Sequence, residues 1–227
     1  MQFLDCKITL SFSNQKIKDR SETLINKGMY EVKFKFIVSL IIMAHLLAMN
    51  VPVKRDPAWS DWAKMTRAKI KLAGIPVSKW QLLYYHMTIL FLDDDACAKT
   101  FTPEFAKMVK SFPALPITIN KLDAFTTTNG DEHVIYLSST NVPQQILTLA
   151  KDARTLADGL NADYDKRPFK PHITFGHVPA DKMSLEELQA ILRTFEQPAF
   201  HCVLKEAEHR YRKSKGTIKK WKLRPKK

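Results

Sequence analysis

Two short segments of the chain carry the same pattern of histidine, apolar residue, threonine and apolar residue. They are His86-Met-Thr88-Ile and His172-Ile-Thr174-Phe, and each lies in an apolar run of the kind that forms a β-strand. Because residues two apart on a strand face the same side, each segment presents an imidazole and a hydroxyl together.

This set of side chains suits the cleavage of a phosphodiester without a metal ion. If the two strands face each other across a groove, one neutral histidine can act as the general base and one protonated histidine as the general acid. The two hydroxyls remain to bind the non-bridging phosphate oxygens. About one such tripeptide is expected by chance in a chain with seven histidines, and a single histidine here is better explained as a core imidazole bonded to a carbonyl. The prediction rests on the matched pair, since burying two polar pairs without purpose costs stability.

Neighbours of the two histidines are secondary candidates. Lys170 shares the strand parity of His172 and either contacts phosphate or remains a solvated charge. Tyr84 shares the face of His86 and either stacks on a base or is buried as a core aromatic residue. His177 has the opposite parity to His172, so we expect it outside the cleft.

The cysteines and histidines show no spacing typical of a metal site. Cys6, Cys97 and Cys202 are odd in number and far apart, which indicates a reducing compartment and inert thiols. No Cys-x-x-Cys or His-Glu-x-x-His pattern occurs. We therefore expect neither a structural zinc nor any other cofactor.

The composition fits a globular protein with a basic C-terminal end. The 227 residues are 45% hydrophobic with only 6 Gly, which excludes a collagenous, low-complexity or disulfide-stapled chain. Of the net charge of +13, residues 201–227 contribute 11 Lys and Arg against 2 acids. This surplus favours a phosphate-bearing partner such as RNA, with Trp221 among its lysines as a candidate stacking residue. Alternatively, the lysines keep an edge strand soluble and Trp221 lies on its core side.

Periodicity and turn signals divide the rest of the chain into strands and helices. The predicted strands cover 80–92, 115–125, 133–138, 170–178, 200–211 and 217–223. The predicted helices cover 59–73, 103–112 and 143–160, with a fourth after the capping box at Ser184. A turn at Asn129-Gly130 makes 115–125 and 133–138 a hairpin. Helices mixed with tight hairpins predict an α+β fold rather than a parallel, doubly wound one.

The beginning of the chain allows two interpretations. Residues 36–49 form an apolar run after Lys33 and Lys35, as in a secretory signal, but such a signal requires translation to start at Met29. Alternation over residues 32–38 favours a buried strand. We expect residues 1–28 to be an N-terminal extension of uncertain status and 29–227 to form one bilobal domain. The expected location is cytoplasmic, without stable membrane association, and export is the alternative.

With these motifs and elements, the sequence resembles the two-histidine (2H) phosphoesterase superfamily, especially its RNA 2',3'-cyclic phosphodiesterases and 2'-5' RNA ligases. The resemblance spans residues 30–227 and rests on YHMTILFL at 85–92, PHITFGHV at 171–178, the hairpin and long helix between them, and the closing IKKWKL. It implies two antiparallel sheets related by a pseudo-twofold axis, with helices packed outside and a central cleft.

The resemblance also implies roles and a reaction. His86 and His172 are the implied acid/base pair, and Thr88 and Thr174 orient the phosphate. The implied activity is the opening of a 2',3'-cyclic phosphate, or the cleavage of a 2'-5' phosphodiester, on RNA or a nucleotide by a monomer that needs no metal. The alternatives are a 2'-5' RNA ligase, a phosphodiesterase for cyclic oligonucleotides or ADP-ribose cyclic phosphate, and a non-catalytic RNA-binding module.

Overall fold

The computed structural model of the chain describes residues 45–92, 95–211 and 217–225, all within one compact unit, Met43–Lys227. The described helices are α1 (Trp59–Leu72), α2 (Asp95–Ser111), α3 (Gln144–Gly159) and α4 (Leu185–Arg193), with a 3-10 turn at Val53–Arg55. The described strands are β1 (His45–Asn50), β2 (Lys79–Trp80), β3 (His86–Leu92), β4 (Leu115–Ile119), β5 (Lys121–Thr126), β6 (Glu132–Ser138), β7 (Ile173–Pro179), β8 (Phe200–Leu204), β9 (Glu206–Tyr211) and β10 (Thr217–Lys222). The α+β class predicted from the sequence is confirmed.

The main sheet consists of two halves joined at its centre. Its strand order is β10-β9-β1-β3-β7-β6-β5, with β2 paired to β7, and every pairing is antiparallel. The halves β10-β9-β1-β3 and β7-β6-β5 meet through one residue pair, Met87 opposite Ile173. A separate two-stranded sheet pairs β4 with β8. The predicted two-sheet, two-lobed arrangement therefore has the two motif strands at its centre.

The helices pack against the sheet through apolar stripes. In α3 the stripe is formed by Ile146, Leu149, Ala150, Ala153 and Ala157, all buried. This helix contacts β3 and α2, α2 contacts β10, and α4 contacts β5. Behind β7, the α1 residue Trp59 packs edge-on against Phe175 at 6.3 Å between ring centroids. The helices thus cover the face that carries Met87 and Phe175 and leave the histidine-threonine face open.

Two local sequence signals have the geometry expected of them. The β5-β6 hairpin turns at Asn129-Gly130, where Gly130 has a φ of +76° that a residue with a side chain adopts only with strain. Ser184 accepts a hydrogen bond from the backbone N–H of Glu187 at 3.2 Å and caps α4.

Three strands predicted as continuous are each divided in the structure. The 80–92 strand is interrupted between β2 and β3, where Leu82 and Leu83 are 52% and 86% exposed. The 115–125 and 200–211 strands each contribute one segment to the small sheet and one to the main sheet. These predictions were wrong because apolar composition does not show which sheet a residue joins, and the breaks at Asn120 and Lys205 are single residues.

Two further boundaries also differ from the prediction. Helix α2 begins at Asp95, eight residues before Pro103, which lies inside the helix. Strand β7 begins at Ile173 rather than at residue 170, so Lys170 and His172 lie in the segment that leads into it.

The strand predicted over 32–38 and the boundary at residue 28 lie outside the described residues. The segment His45–Asn50, which overlaps the end of the 36–49 run, is a strand between β3 and β9. Among the described residues, no helix is long and apolar enough to cross a membrane.

A chain of polar side chains connects β9, β1 and α2, in which His45 and His209 are buried and Asp95 is exposed. His45 Nδ1 lies 2.7 Å from His209 Nε2, and His45 Nε2 lies 2.6 Å from Asp95 Oδ1. Burial lowers the pKa of His209 to about 4, and electrostatic interactions with His45 and Lys219 contribute to this shift. Folded and unfolded chains therefore take up the His209 proton at different pH values.

This difference predicts that the fold is destabilised in mild acid. The unfolded chain binds the His209 proton below about pH 6.5, whereas the folded chain binds it only near pH 4. The free energy of unfolding should therefore fall by up to about 1.4 kcal/mol per pH unit across this window. In the His209→Gln variant, urea unfolding should show a smaller fall than in the parent. The exposed His201→Gln control should match the parent, and an unchanged pH dependence in His209→Gln would contradict the account.

Candidate active site

The central pair of strands brings both motifs together on one face. Because Met87 lies opposite Ile173 in antiparallel strands, the register places His86 opposite Thr174 and Thr88 opposite His172. Directly opposed side chains have their Cβ atoms about 5 Å apart. The two histidines thus occupy diagonal corners of a four-residue group, with a threonine beside each. All four side chains are partly exposed.

Matched bulges follow the two threonines and change which residues face the cleft. In β3 the pairing to β1 skips Ile89, and in β7 the pairing to β6 skips Phe175. A bulge places two consecutive residues on the same side and so inverts the parity of all that follow. His177 is therefore on the cleft side with Thr174, and its predicted place outside the cleft was wrong.

Gly176 is the sequence signal that could have revealed the second bulge. A glycine inside a strand often marks a bulge or a close backbone approach. Here a Cβ on Gly176 would lie 3.0 Å from Cε3 of Trp80 and 3.3 Å from the Lys79 carbonyl oxygen. Strand β2 pairs at this point, so the glycine lets its backbone and the indole approach β7.

His172 has a defined tautomer. Its Nδ1 donates a hydrogen bond of 2.7 Å to the Lys170 carbonyl, which can only accept, so Nε2 is the nitrogen left for chemistry. The ring also packs edge-on against Phe125 and Tyr136, at 5.1 and 6.0 Å between centroids. Burial lowers the pKa of His172; the Lys170 carbonyl opposes this, and the charges of Lys170 and Arg167 add to it.

His86 lies in a more buried setting in the other half. Burial lowers its pKa to about 4, assisted by the charges of Arg210 and of His172, while Glu208 and the Tyr84 carbonyl act in the opposite direction. The electrostatic interaction of the two imidazoles fits their diagonal placement. In the free protein both rings therefore favour the neutral form.

Tyr84 packs on His86 instead of presenting an open ring to the cleft. The two rings are stacked at 4.9 Å with an interplanar angle of 20°, and the Arg210 guanidinium carbon lies 3.9 Å from the Tyr84 centroid. Burial, and then the charge of Glu208, raises the pKa of the Tyr84 hydroxyl. The Glu208 side chain is fully buried and forms ion pairs with Arg210 at 3.2 Å and Lys220 at 3.1 Å. Tyr84 thus fixes the imidazole, and of the two roles considered for it the packing role fits this geometry.

Lys170 is placed beside His172 as a cation held over aromatic rings. Its Nζ lies 4.5 Å from the Phe125 centroid and 4.9 Å from that of Tyr136. Burial lowers the pKa of the Lys170 amine, which Asp123 opposes and Lys121 reinforces. Lys170 remains exposed toward the cleft, where its charge can meet an anion.

A cavity of about 980 Å³ extends from this group along the second half of the sheet. Among its lining residues are Thr88, Phe91, Phe125, Thr126, Glu132, Arg154, Arg167, Phe169, Lys170, His172 and His177. Three sequence-derived candidates, Thr88, Lys170 and His172, line it directly; His86, Thr174 and Tyr84 are not among the lining residues, although the register places His86 and Thr174 next to it.

The cavity includes residues that sequence reasoning missed. Arg167 forms an ion pair with Asp165 and bonds to the hydroxyl of Thr128, and Arg154 donates to the Arg167 carbonyl at 2.6 Å. These contacts connect the segment before β7 to the β5-β6 hairpin. No motif in the sequence indicates them, because they come from three separate elements.

The basic C-terminal strand β10 belongs to the half of the sheet that carries His86, rather than to a separate binding surface. Lys220 pairs with Glu208 on the cleft side of the sheet. Trp221 is 5% exposed and packs against Phe105 at 5.7 Å. The core-side alternative for Trp221 is therefore confirmed, and the prediction that it stacks on nucleic acid was wrong.

Within the described part of the chain, no group of three or more His, Cys, Asp and Glu side chains is arranged to hold a metal ion.

Several solved structures share the fold of this chain. E. coli LigT complexed with 3'-AMP matches with a TM-score of 0.58 at 18% identity, covering 80% of this chain and 98% of LigT. Kluyveromyces marxianus Usb1 matches with a TM-score of 0.52 at 9% identity, covering 79% and 98%. The protein TT0787 of Thermus thermophilus matches with a TM-score of 0.52 at 16% identity, covering 82% and 100%. At these identities the likeness shows the fold.

The family itself is shown by sequence. A search of curated proteins found no match. The model of the 2'-5' RNA ligase superfamily, however, matches residues 55–210, a span that exceeds half of the chain and contains both histidine-threonine motifs. The chain therefore belongs to the 2'-5' RNA ligase superfamily of 2H phosphoesterases.

Proposed function

We propose that this protein is a metal-independent phosphodiesterase that opens a 2',3'-cyclic phosphate, or cleaves a 2'-5' phosphodiester, on RNA or a nucleotide. The observation that carries the proposal is the diagonal placement of His86 and His172, each with a threonine hydroxyl beside it, on one open face. An in-line displacement at phosphorus needs a base on one side and an acid on the other, and a diagonal pair supplies both.

The proposed reaction needs two proton transfers. One imidazole removes a proton from water as the water oxygen attacks phosphorus, and the other donates a proton to the departing 3' oxygen. The P–O3' bond breaks, and the product is a 2'-phosphate with a free 3' hydroxyl. Thr88 and Thr174 hold the non-bridging oxygens by hydrogen bonds, and the Lys170 cation offsets their charge. When the ribose 3' hydroxyl replaces water in the attack on a 2'-5' phosphodiester, the P–O5' bond breaks and a 2',3'-cyclic phosphate and a 5' hydroxyl form. The reverse of that step joins the two ends, so ligation would use the same residues.

Substrate binding would prepare the histidines for their roles. Burial and nearby cations lower both imidazole pKa values in the free protein. A bound phosphodiester brings a negative charge that favours the protonated form. The bound substrate would thereby stabilise the protonated histidine that the reaction requires as its general acid.

The nature of the substrate is supported by relatives and by charge. E. coli LigT has been crystallised with 3'-AMP, ATP, NADP+ and phosphate. In this chain, Lys170, Arg154 and Arg167 line the cavity, and each can contact a phosphate. We extend the proposal to a cytoplasmic monomer that requires no metal ion.

Replacing either histidine should abolish most turnover. We expect His86→Ala and His172→Ala each to lower kcat on an RNA 2',3'-cyclic phosphate by about 10²- to 10⁴-fold, because each removes one proton transfer. The parent should be equally active with and without EDTA. The exposed His201→Ala control should behave as the parent. Full turnover in either cleft variant, or activity lost in EDTA and restored by zinc or magnesium, would contradict the proposal.

Product binding should raise the pKa of both cleft histidines. A nucleoside 2'-monophosphate places its negative charge beside the two rings, which stabilises their protonated forms. NMR titration of the imidazole resonances, with and without this nucleotide, measures the change. The exposed His201 is the internal control and should not move. Cleft histidine pKa values that stay constant or fall on binding would argue against a phosphate site between them.

A further inference from the structure

The end of the cavity away from His172 carries an ordered carboxylate. His177 Nδ1 donates to Glu132 Oε2 at 3.0 Å, with side-chain exposures of 24% for His177 and 44% for Glu132. Within the residues that the structure describes, no other group donates to the Glu132 carboxylate. A carboxylate offers about four acceptor positions over its two oxygens, so both can still accept hydrogen bonds.

The position of Glu132 matches the length of a nucleoside. Tyr136 lies opposite Thr174 of the reacting group, and Glu132 is four residues further along β6. Four residues of extended strand span about 13 Å. A ribose and its base reach over this distance from a phosphate held at the two threonines.

Near Glu132 the chemistry of the cavity suits a base, while Arg154 and Arg167 on the same cavity can contact phosphate. Phe91 and Phe169 line the cavity, and aromatic rings are the usual partners of unstacked bases. The Glu132 carboxylate would repel a phosphate but accepts hydrogen bonds from N–H groups. The Glu132 carboxylate, held by His177 beside these rings, can serve as the acceptor of a base-recognition pocket.

We propose that Glu132, oriented by His177, recognises the Watson–Crick edge of a guanine base in the substrate. Guanine presents two adjacent N–H donors on this edge, N1–H and the 2-amino group, and these match the two oxygens of one carboxylate. Adenine, cytosine and uracil each present one donor there, next to acceptors that the carboxylate repels. This inference rests on the proposed function and names its substrate class as a guanosine-terminated cyclic phosphate.

The experiment measures turnover of the four nucleoside 2',3'-cyclic phosphates by the parent, by Glu132→Gln and by the control variant Glu104→Gln. Glu104 lies on α2 and pairs with Lys107. The parent should favour the guanosine substrate in kcat/KM by about tenfold or more, the discrimination of one bidentate contact. Glu132→Gln should lose this preference, with kcat/KM for the guanosine substrate falling to the level of the other three substrates in the same variant. Glu104→Gln should retain the parent preference, and His177→Phe should weaken it, because Glu132 loses its orienting donor.

A binding measurement separates failure of this inference from failure of the proposed function. Calorimetry with guanosine and adenosine 2'-monophosphate uses the His86→Ala variant, with and without Glu132→Gln. If no cyclic phosphate is turned over but guanosine binds more tightly through Glu132, the base site stands and the proposed reaction fails. If all four substrates are turned over equally, or another base is preferred, the guanine inference is overturned and the reaction stands.

Discussion

The site depends on the single backbone contact between β3 and β7. This one pair, Met87 with Ile173, joins two sheet halves that otherwise have separate partners. Its register puts each histidine opposite a threonine of the other half, and the bulges after both threonines change which of the following residues face the cleft. A shift of one residue would turn one motif into the apolar layer behind the sheet. The packing of Met87, Ile173 and the helices behind them is thus a condition for the chemistry in front.

The two halves hold their histidines by different means. His172 is fixed by a backbone carbonyl and by two aromatic edges, with Lys170 nearby. His86 is fixed by stacking on Tyr84, which in turn packs under Arg210 beside buried Glu208. The same residue type in related positions therefore meets different electrostatic surroundings. Such an asymmetry is what a pair needs if one member is to act as base and the other as acid.

Much of the site could be predicted because strand parity and motif pairing are local properties. The four motif residues, the α+β class and the hairpin at Asn129-Gly130 all follow from patterns within a few residues. The predictions from sequence are wrong where contacts between distant parts of the chain determine the local structure. Parity alone put His177 on the wrong face, since a bulge is defined by the partner strand. The apolar run at 80–92 did not show that Leu82 and Leu83 are exposed, and α2 extends eight residues beyond what Pro103 indicated.

In the proposed reaction the two histidines divide the proton transfers, and a substrate with sulfur in place of the 3' bridging oxygen tests this division most directly. A 3' thiolate leaves without being protonated, so the general acid becomes dispensable while the general base does not. On this substrate we predict that one of the variants His86→Ala and His172→Ala regains turnover near that of the parent and the other stays inactive. Recovery of both variants, or of neither, would contradict the division of roles.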